Sequence, residues 1–275
     1  MHAGGYLVVT ALLYMFATAL QMFTNASRLA GVRTQRLATG LTLFNIFGTT
    51  GRFLSLFYMP LIGRLADQAS KLPDAVAAYE HDIRFIMIGA TLGTLLGGAL
   101  VPWATRLLER GIRSFESRGE LLSALAQLLK PRVFLSALRD FRMPTFAMLR
   151  YSPANLPRPF LFWNIIVMGF WVAGPLAAYL AGVMTREFAL TAASLSGLIT
   201  GVSTLTLTYI VDPTAALVTD QVAHGKRPES DLKAMILYLV VSATVGTLLA
   251  QLLLTPAADI IATAAKWLND AHIHM

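Results

Sequence analysis

Two charged residues, Arg52 and Asp212, lie inside long apolar stretches of the sequence. A charge near the centre of a bilayer costs roughly 2.5 to 3.5 kcal/mol, so such side chains usually face a bundle interior, a water-filled cavity or an opposite charge. Around Arg52, spacings of three and four residues place an amide, a gap, a charge and a hydroxyl on one helix face: Asn45, Gly48, Arg52 and Ser55. This pattern indicates a polar track through a membrane protein.

A second helix face of small and polar residues ends at Asp212. Its members recur at helical spacing and are Gly197, Gly201, Thr204, Thr208 and Asp212. The residue after Asp212 is a proline, which removes a backbone donor and interrupts a helix. The interruption fits a wetted or moving site, and a purely structural kink is the alternative.

The depths of Arg52 and Asp212 decide whether they can neutralise each other. At a rise of 1.5 Å per residue, Arg52 lies about 4 Å to the outer side of its segment's middle, and Asp212 about 12 Å to the inner side of its own. A separation of about 16 Å favours separate positions in one polar cavity. A fixed ion pair stays the alternative, because arginine reaches far along the membrane normal.

Basic residues follow the first apolar segment at once, among them Arg28 and Arg33. They either set the orientation of the chain in the membrane or capture an anionic head group at the inner surface. Lys226 and Arg227 allow the same two interpretations.

The composition defines the class of protein. Of 275 residues, 56% are hydrophobic and 13% are charged, against roughly 25% charged residues in soluble domains. Mean hydropathy is +0.61, which indicates a polytopic membrane protein. The net charge of +7 follows from basic loops that orient the chain, so nucleic acid is not an expected partner.

Missing motifs disfavour an enzyme. The chain has no cysteine, which excludes thiolate catalysis and cysteine-ligated metals. Its five histidines lie outside the apolar segments and form no cluster at metal-ligand spacing. Neither a G-x-S-x-G elbow nor a phosphate-binding G-x-x-x-x-G-K-[ST] loop occurs. We therefore expect a transporter without metal or other cofactor, and not an ATP-driven pump.

The apolar residues form six segments, each close to the roughly 20 residues that a spanning helix needs. We predict an all-α integral membrane protein of about six transmembrane helices, forming a single polytopic domain over residues 1–275. The predicted spans are residues 6–23, 37–63, 83–107, 160–184, 190–218 and 235–254. A cleaved signal peptide is the weaker interpretation of the first segment, because its positive charge follows the apolar run.

The largest loop, about residues 108–159, is basic and carries leucines and phenylalanines at helical spacing. This pattern predicts amphipathic helices on the cytoplasmic membrane surface. Since the loops after the first, third and fifth spans hold most of the lysines and arginines, we predict that they face the cytoplasm and that both termini lie outside. Glycines at positions 89, 93 and 97 predict close helix packing within the bundle, and such faces would also allow a homodimer.

Several segments together resemble the Amj family. They are NASRLAGVRTQRLATGLTLFN, TTGRFLSLFYMPLIGRLAD, IRFIMIGATLGTLLG, GLITGVSTLTLTYIVDPTAALVTDQVAHGKR and GTLLAQLLLTPAADIIA. The resemblance extends over all six spans and is weakest over about residues 109–159. It implies an alternate lipid II flippase of the bacterial cytoplasmic (inner) membrane. Such proteins move the undecaprenyl-pyrophosphate-linked disaccharide-pentapeptide outward for peptidoglycan synthesis.

The resemblance and the polar faces together lead to a hypothesis for the site. Arg28 and Arg33 gather the pyrophosphate at the inner face, and Arg52 holds it midway. The sugar or peptide is bound by Asn45, Thr204 and Thr208. The partners implied are lipid II and membrane lipids.

Asp212 would gate the path or couple movement to proton or ion binding. The same cavity would also suit a transporter of another anionic lipid or of a small solute. An integral-membrane lipid-phosphate enzyme is the third interpretation.

Overall fold

The computed structural model describes residues 3–118 and 158–272, and within these ranges the chain contains nine α-helices and no strand. The helices are α1 (Ala3–Arg33), α2 (Leu37–Phe53), α3 (Ser55–Ala69), α4 (Ala75–Arg118), α5 (Arg158–Met184), α6 (Ala189–Ser194), α7 (Gly197–Thr206), α8 (Asp212–Ala223) and α9 (Glu229–His272). A 3₁₀ turn (Arg186–Phe188) precedes α6, and a π-helical turn (Leu207–Val211) separates α7 from α8.

Within the described ranges, five helical stretches are long and apolar enough to cross a membrane, which confirms the predicted all-α membrane protein. They cover residues 4–33, 75–114, 159–184, 186–223 and 229–270. The fourth stretch combines α6, α7, the π-helical turn and α8. Large apolar side chains on these helices remain exposed, for example Leu92, Leu96 and Leu252, as lipid-facing residues do.

The second predicted span, residues 37–63, is divided between two helices. Leu54 separates α2 from α3, which have 17 and 15 residues. The Ser55 hydroxyl donates to the Arg52 carbonyl oxygen at 2.6 Å. A hydroxyl that bonds to a nearby carbonyl competes with the helical hydrogen-bond ladder and bends it. The interruption therefore lies beside Arg52.

Several helices run well past their predicted spans. The first, third and sixth spans were predicted over 18 to 25 residues, whereas α1, α4 and α9 have 31, 44 and 44. Consequently Arg28 and Arg33 belong to α1 itself and not to a loop. Most of the predicted amphipathic segment, residues 119–157, lies outside the described residues.

Helices α1 and α4 pack through the predicted glycine face. A Cβ atom at Gly89 would lie 2.6 Å from the Ala11 carbonyl oxygen, and one at Gly97 would lie 2.5 Å from that of Ala19. At Gly93 a Cβ atom would collide with the Met15 carbonyl oxygen. Only residues without a side chain allow this approach, so the predicted packing within the bundle is confirmed.

The bundle ends are set by ion pairs and short loops. Arg33 at the end of α1 bonds to Glu109, nine residues before the end of α4, and to Glu229 at the start of α9. These contacts join three helices at one end of the bundle, which we call the Arg33 end. At the opposite end, residues 73–77 lie near residues 183–188 around a cavity of about 600 Å³.

Candidate transport cavity

A cavity of about 630 Å³ lies between the helices. One wall is the face predicted from α2 and α3: Asn45, Gly48, Arg52 and Ser55 all line the cavity. Asn45 and Arg52 are exposed to this space, whereas Gly48 is buried beneath it. The spacing of three and four residues thus places an amide, a guanidinium and a hydroxyl along one path.

A second wall comes from α7, the π-helical turn and the start of α8. Thr204, Thr208 and Asp212 line the cavity as their spacing predicts, and Thr200 joins them. Neither Gly197 nor Gly201 is among the lining residues. The Thr204 hydroxyl donates to the Thr200 carbonyl oxygen at 2.9 Å, which leaves its lone pairs to accept from a ligand.

The π-helical turn directly before Asp212 has a local cause. Pro213 has no N–H and its ring would crowd the carbonyl of Tyr209, four residues earlier. The chain widens instead, and the Asp212 N–H donates to the Leu207 carbonyl oxygen, five residues earlier. Such turns are rare and frequent at functional sites. The predicted helix interruption is present, in the form of a wider turn.

A smaller cavity of about 90 Å³ adjoins the large one. Arg28 and the buried Asn25 and Asn164 line the small cavity but not the large one. The two cavities share Gln21, Thr24, Phe44, Met168, Trp171, Leu207 and Asp212. Asp212 therefore stands at the boundary between Arg28 on one side and Arg52 on the other.

Arg28 and Asp212 form an ion pair. Nη2 of Arg28 donates to Oδ1 of Asp212 at 2.8 Å. The Arg28 side chain is 13% exposed and that of Asp212 is 39% exposed. The Arg28 guanidinium also lies over the Phe44 ring, 4.6 Å from its centroid, a favourable cation–π position.

One nitrogen of this guanidinium is unsatisfied. Nε of Arg28 is buried and has no hydrogen-bond partner within the described part of the chain. Nε and Nη2 lie on the same edge of a guanidinium and together match the two oxygens of a carboxylate or phosphate. Asp212 therefore fills only half of the edge that Arg28 presents.

Arg52 does not pair with Asp212 in the described structure. Its Nε donates to the Gly48 carbonyl oxygen at 3.3 Å, and both charged residues line the large cavity. Separate positions in one cavity were favoured by the estimated depths. The partner that Asp212 does have, Arg28, was not expected from the sequence.

Arg33 lies apart from the other predicted site residues. It lines neither of these two cavities. Its Nε and Nη2 donate to Oε1 of Glu229 at 3.1 and 2.8 Å, and Nη1 donates to Oε1 of Glu109 at 3.0 Å. Lys233 also contacts Glu229, at 2.7 Å. Arg33 thus joins three helices at the Arg33 end.

Sequence reasoning missed the contribution of α1 to the cavity. Gln21 and Thr24 line both cavities, with Arg28 one turn further along. Their spacings of three and four residues were the available signal, but the first predicted span ended at Phe23 and concealed it. Trp171 of α5 also lines both cavities, and nothing in its sequence context pointed there.

Comparisons with known proteins match nearly the whole chain. The family model of Amj, described as "Alternate to MurJ", matches residues 13–265. A relative from Bacillus subtilis (strain 168), named Lipid II flippase Amj, is 32% identical over 269 residues, covering 95% of this chain and 99% of the relative. No solved structure matches. Because the family model and this relative each match most of the chain, the chain belongs to the Amj family.

Proposed function

We propose that this protein is a lipid II flippase, a transporter and not an enzyme. The relative that carries this name is 32% identical to the chain, and the match covers 99% of the relative's length. The family is described as an alternate to MurJ. The substrate would be the undecaprenyl-pyrophosphate-linked peptidoglycan precursor. The protein would act as a single membrane domain in contact with membrane lipids.

The observation that carries this proposal is the composition of the large cavity. A pyrophosphate that crosses roughly 30 Å of hydrocarbon needs a cation on its path, and Arg52 lines the cavity with no carboxylate bonded to it among the described residues. Asn45, Thr204 and Thr208 surround the same space, which suits the hydroxyl and amide groups of a sugar or peptide. The polyprenyl tail can remain in the lipid.

The size of the cavity indicates how the substrate would move. A volume of about 630 Å³ is typical of a small-molecule site. A disaccharide with a pentapeptide is larger than such a site. The substrate head would therefore enter in parts, or the helices would separate as it passes. The interruption at Leu54 and the π-helical turn before Asp212 are the positions at which the cavity walls depart from regular helix.

We further propose that the Arg33 end faces the cytoplasm of a bacterial cell and that both termini lie outside, in the inner membrane. The basic loops of the sequence support this orientation. At that end, Arg33 would gather anionic head groups only by leaving Glu109 and Glu229. A homodimer would need a surface other than Gly89, Gly93 and Gly97, because α1 fills that face.

Translocation of fluorescent lipid II in proteoliposomes tests the function. Arg52→Ala should reduce the exchange rate at least tenfold, because a hydrogen bond to a charged group contributes about 1.5 to 3 kcal/mol. Arg64→Ala is the matched control: this arginine, on α3, stacks on the Tyr6 ring at 4.1 Å and lines neither of the two cavities. Absence of exchange by the wild type, in any imposed gradient, would contradict the function.

The same assay tests Asp212 as a gating or coupling group. Among the described residues, the other titratable side chains that line the large cavity are those of Arg52, Tyr14 and Tyr58, and Arg28 lines the small one. We expect Asp212→Asn to change the dependence of exchange on the pH gradient or the membrane potential. An unchanged rate and an unchanged gradient dependence would exclude this role.

A further inference from the structure

We propose that Asp212 is a built-in competitor of the substrate, occupying on Arg28 the position that a phosphoryl group of the lipid pyrophosphate takes during transport. The proposal rests on the proposed function and adds a second phosphate position to it. Arg28 would be freed from Asp212 when the phosphoryl group binds, and Asp212 would return when the phosphoryl group leaves.

The first support is the half-filled edge of the guanidinium. Asp212 accepts from Nη2 of Arg28 at 2.8 Å, while Nε is buried without a partner among the described residues. A phosphoryl group offers several oxygens and can accept from both nitrogens at once. A buried donor without a hydrogen-bond partner destabilises the structure, so a ligand that satisfies Nε gains an interaction that Asp212 does not provide.

The second support is a comparison with two other arginines of the chain. Arg33 donates from both Nε and Nη2 to Glu229, and Arg84 donates from both to Glu80. In these two pairs the carboxylate accepts from both nitrogens of the guanidinium edge, Nε and Nη2. The unsatisfied edge of Arg28 occurs where the pair borders both cavities, and the filled edges occur where the pair lies outside them.

The third support is the route that a phosphoryl group would take. Asp212 lines both cavities, so a pyrophosphate beside Arg52 in the large cavity already meets the carboxylate that holds Arg28. The two negative groups repel each other, and Asp212 is 39% exposed, which gives it space to turn away. The π-helical turn before Asp212 provides backbone that is not held in regular helical geometry.

The buried Arg28 is neutralised in both arrangements. In the structure, Arg28 is neutralised by Asp212, and Arg52, which lines the large cavity, has no carboxylate partner among the described residues. When a phosphoryl group binds Arg28 it takes over this neutralisation, and the displaced Asp212 carboxylate turns into the large cavity that it also lines. The buried Arg28 guanidinium is thus never left unpaired in the low-dielectric interior, where an unpaired charge would be costly.

Binding of undecaprenyl pyrophosphate to the purified protein in nanodiscs tests the proposal. Removing the competitor with Asp212→Asn should tighten binding about tenfold, the equivalent of roughly 1.4 kcal/mol. Arg28→Lys should weaken binding about tenfold, because a lysine keeps the charge but loses the two-nitrogen edge. Glu80→Gln, in the filled pair outside the cavities, should leave the affinity unchanged.

The outcomes separate this proposal from the proposed function. If the wild type exchanges lipid II and Asp212→Asn binds undecaprenyl pyrophosphate no more tightly than the wild type, competition is overturned and the flippase function stands. If Asp212→Asn binds more tightly but the wild type moves no lipid II, the competition stands and the transport function falls.

A second variant covers a failure of Asp212→Asn to fold. Asp212→Glu keeps the charge and lengthens the side chain, so it can reach both nitrogens of the Arg28 edge. We expect it to weaken binding of undecaprenyl pyrophosphate severalfold. Binding that is equal to or tighter than that of the wild type would overturn the proposal.

Discussion

Arg28 and Arg84 each lie on a helix long enough to span the membrane, and each forms an ion pair with a carboxylate. The two pairs differ in how many guanidinium nitrogens are bonded. Arg84 is surrounded by partners: Nε and Nη2 donate to Glu80 at 3.1 and 2.6 Å, and Nη1 donates to the Gln251 carbonyl oxygen at 2.6 Å. Thr255 bonds to both members of the pair. Arg28 has one contact to Asp212 and an unsatisfied Nε.

The difference indicates two uses of charge inside a membrane protein. Around Arg84, each guanidinium nitrogen is bonded and the contacts join α4 to α9, so the cluster stabilises the packing of two helices. The pair at Arg28 borders the cavities and leaves a donor vacant. The Arg84 guanidinium has no nitrogen left without a partner to donate to a ligand, whereas the Arg28 guanidinium has Nε.

The largest expected effect compares the same substitution at the two arginines. Arg28→Lys should slow lipid II exchange in proteoliposomes about tenfold, because the lost hydrogen bond to a charged group contributes about 1.5 to 3 kcal/mol. Arg84→Lys should leave the rate per folded molecule within about twofold. Equal losses at both positions would mean that the two arginines do not differ in function.

A smaller effect concerns the thermal stability of the two carboxylate variants. Asp212→Asn and Glu80→Gln should each lower the melting temperature by a few degrees, since each leaves a partly buried arginine without its counter-charge. At one fixed concentration, undecaprenyl pyrophosphate should raise the melting temperature of Asp212→Asn more than that of Glu80→Gln, because Asp212→Asn is expected to bind it about tenfold more tightly. A tenfold difference in dissociation constant corresponds to about 1.4 kcal/mol of additional stabilisation. Equal increases for both variants, measured by thermal shift, would remove the distinction.

The smallest effect compares two threonines. Thr208 lines the large cavity, and Thr255 bonds to Glu80 at 3.2 Å. Because a neutral hydrogen bond contributes about 0.5 to 1.5 kcal/mol, Thr208→Val should slow lipid II exchange about threefold without changing the melting temperature. Thr255→Val should lower the melting temperature and leave exchange unchanged. The reverse assignment would show that the cavity wall is structural.

Much of the site was predictable because a helix has a fixed period. Asn45 and Arg52 on one segment, and Thr204 and Thr208 on another, were assigned to common faces by spacings of three and four residues, and these faces line one cavity. The glycine face of α4 was predictable for the same reason, since its close approach to another helix depends only on absent side chains.

Other features depended on where helices end. The first predicted span stopped at Phe23 where its hydrophobic residues thin out, but α1 continues to Arg33. Hydrophobicity reports where a membrane core begins and ends, whereas backbone hydrogen bonding carries a helix further. Gln21, Thr24 and Arg28 therefore went unrecognised as one polar face of α1.

By itself, the sequence determined the class of protein, the positions of its apolar segments and the residues that share a helix face, because these follow from composition and from local periodicity. Which face meets which was decided by the tertiary structure alone. Arg28 and Asp212 are 184 residues apart in the chain and 2.8 Å apart in space, and no local pattern encodes that pairing. The packing of α1 against α8 brings Arg28, and not Arg52, into contact with Asp212.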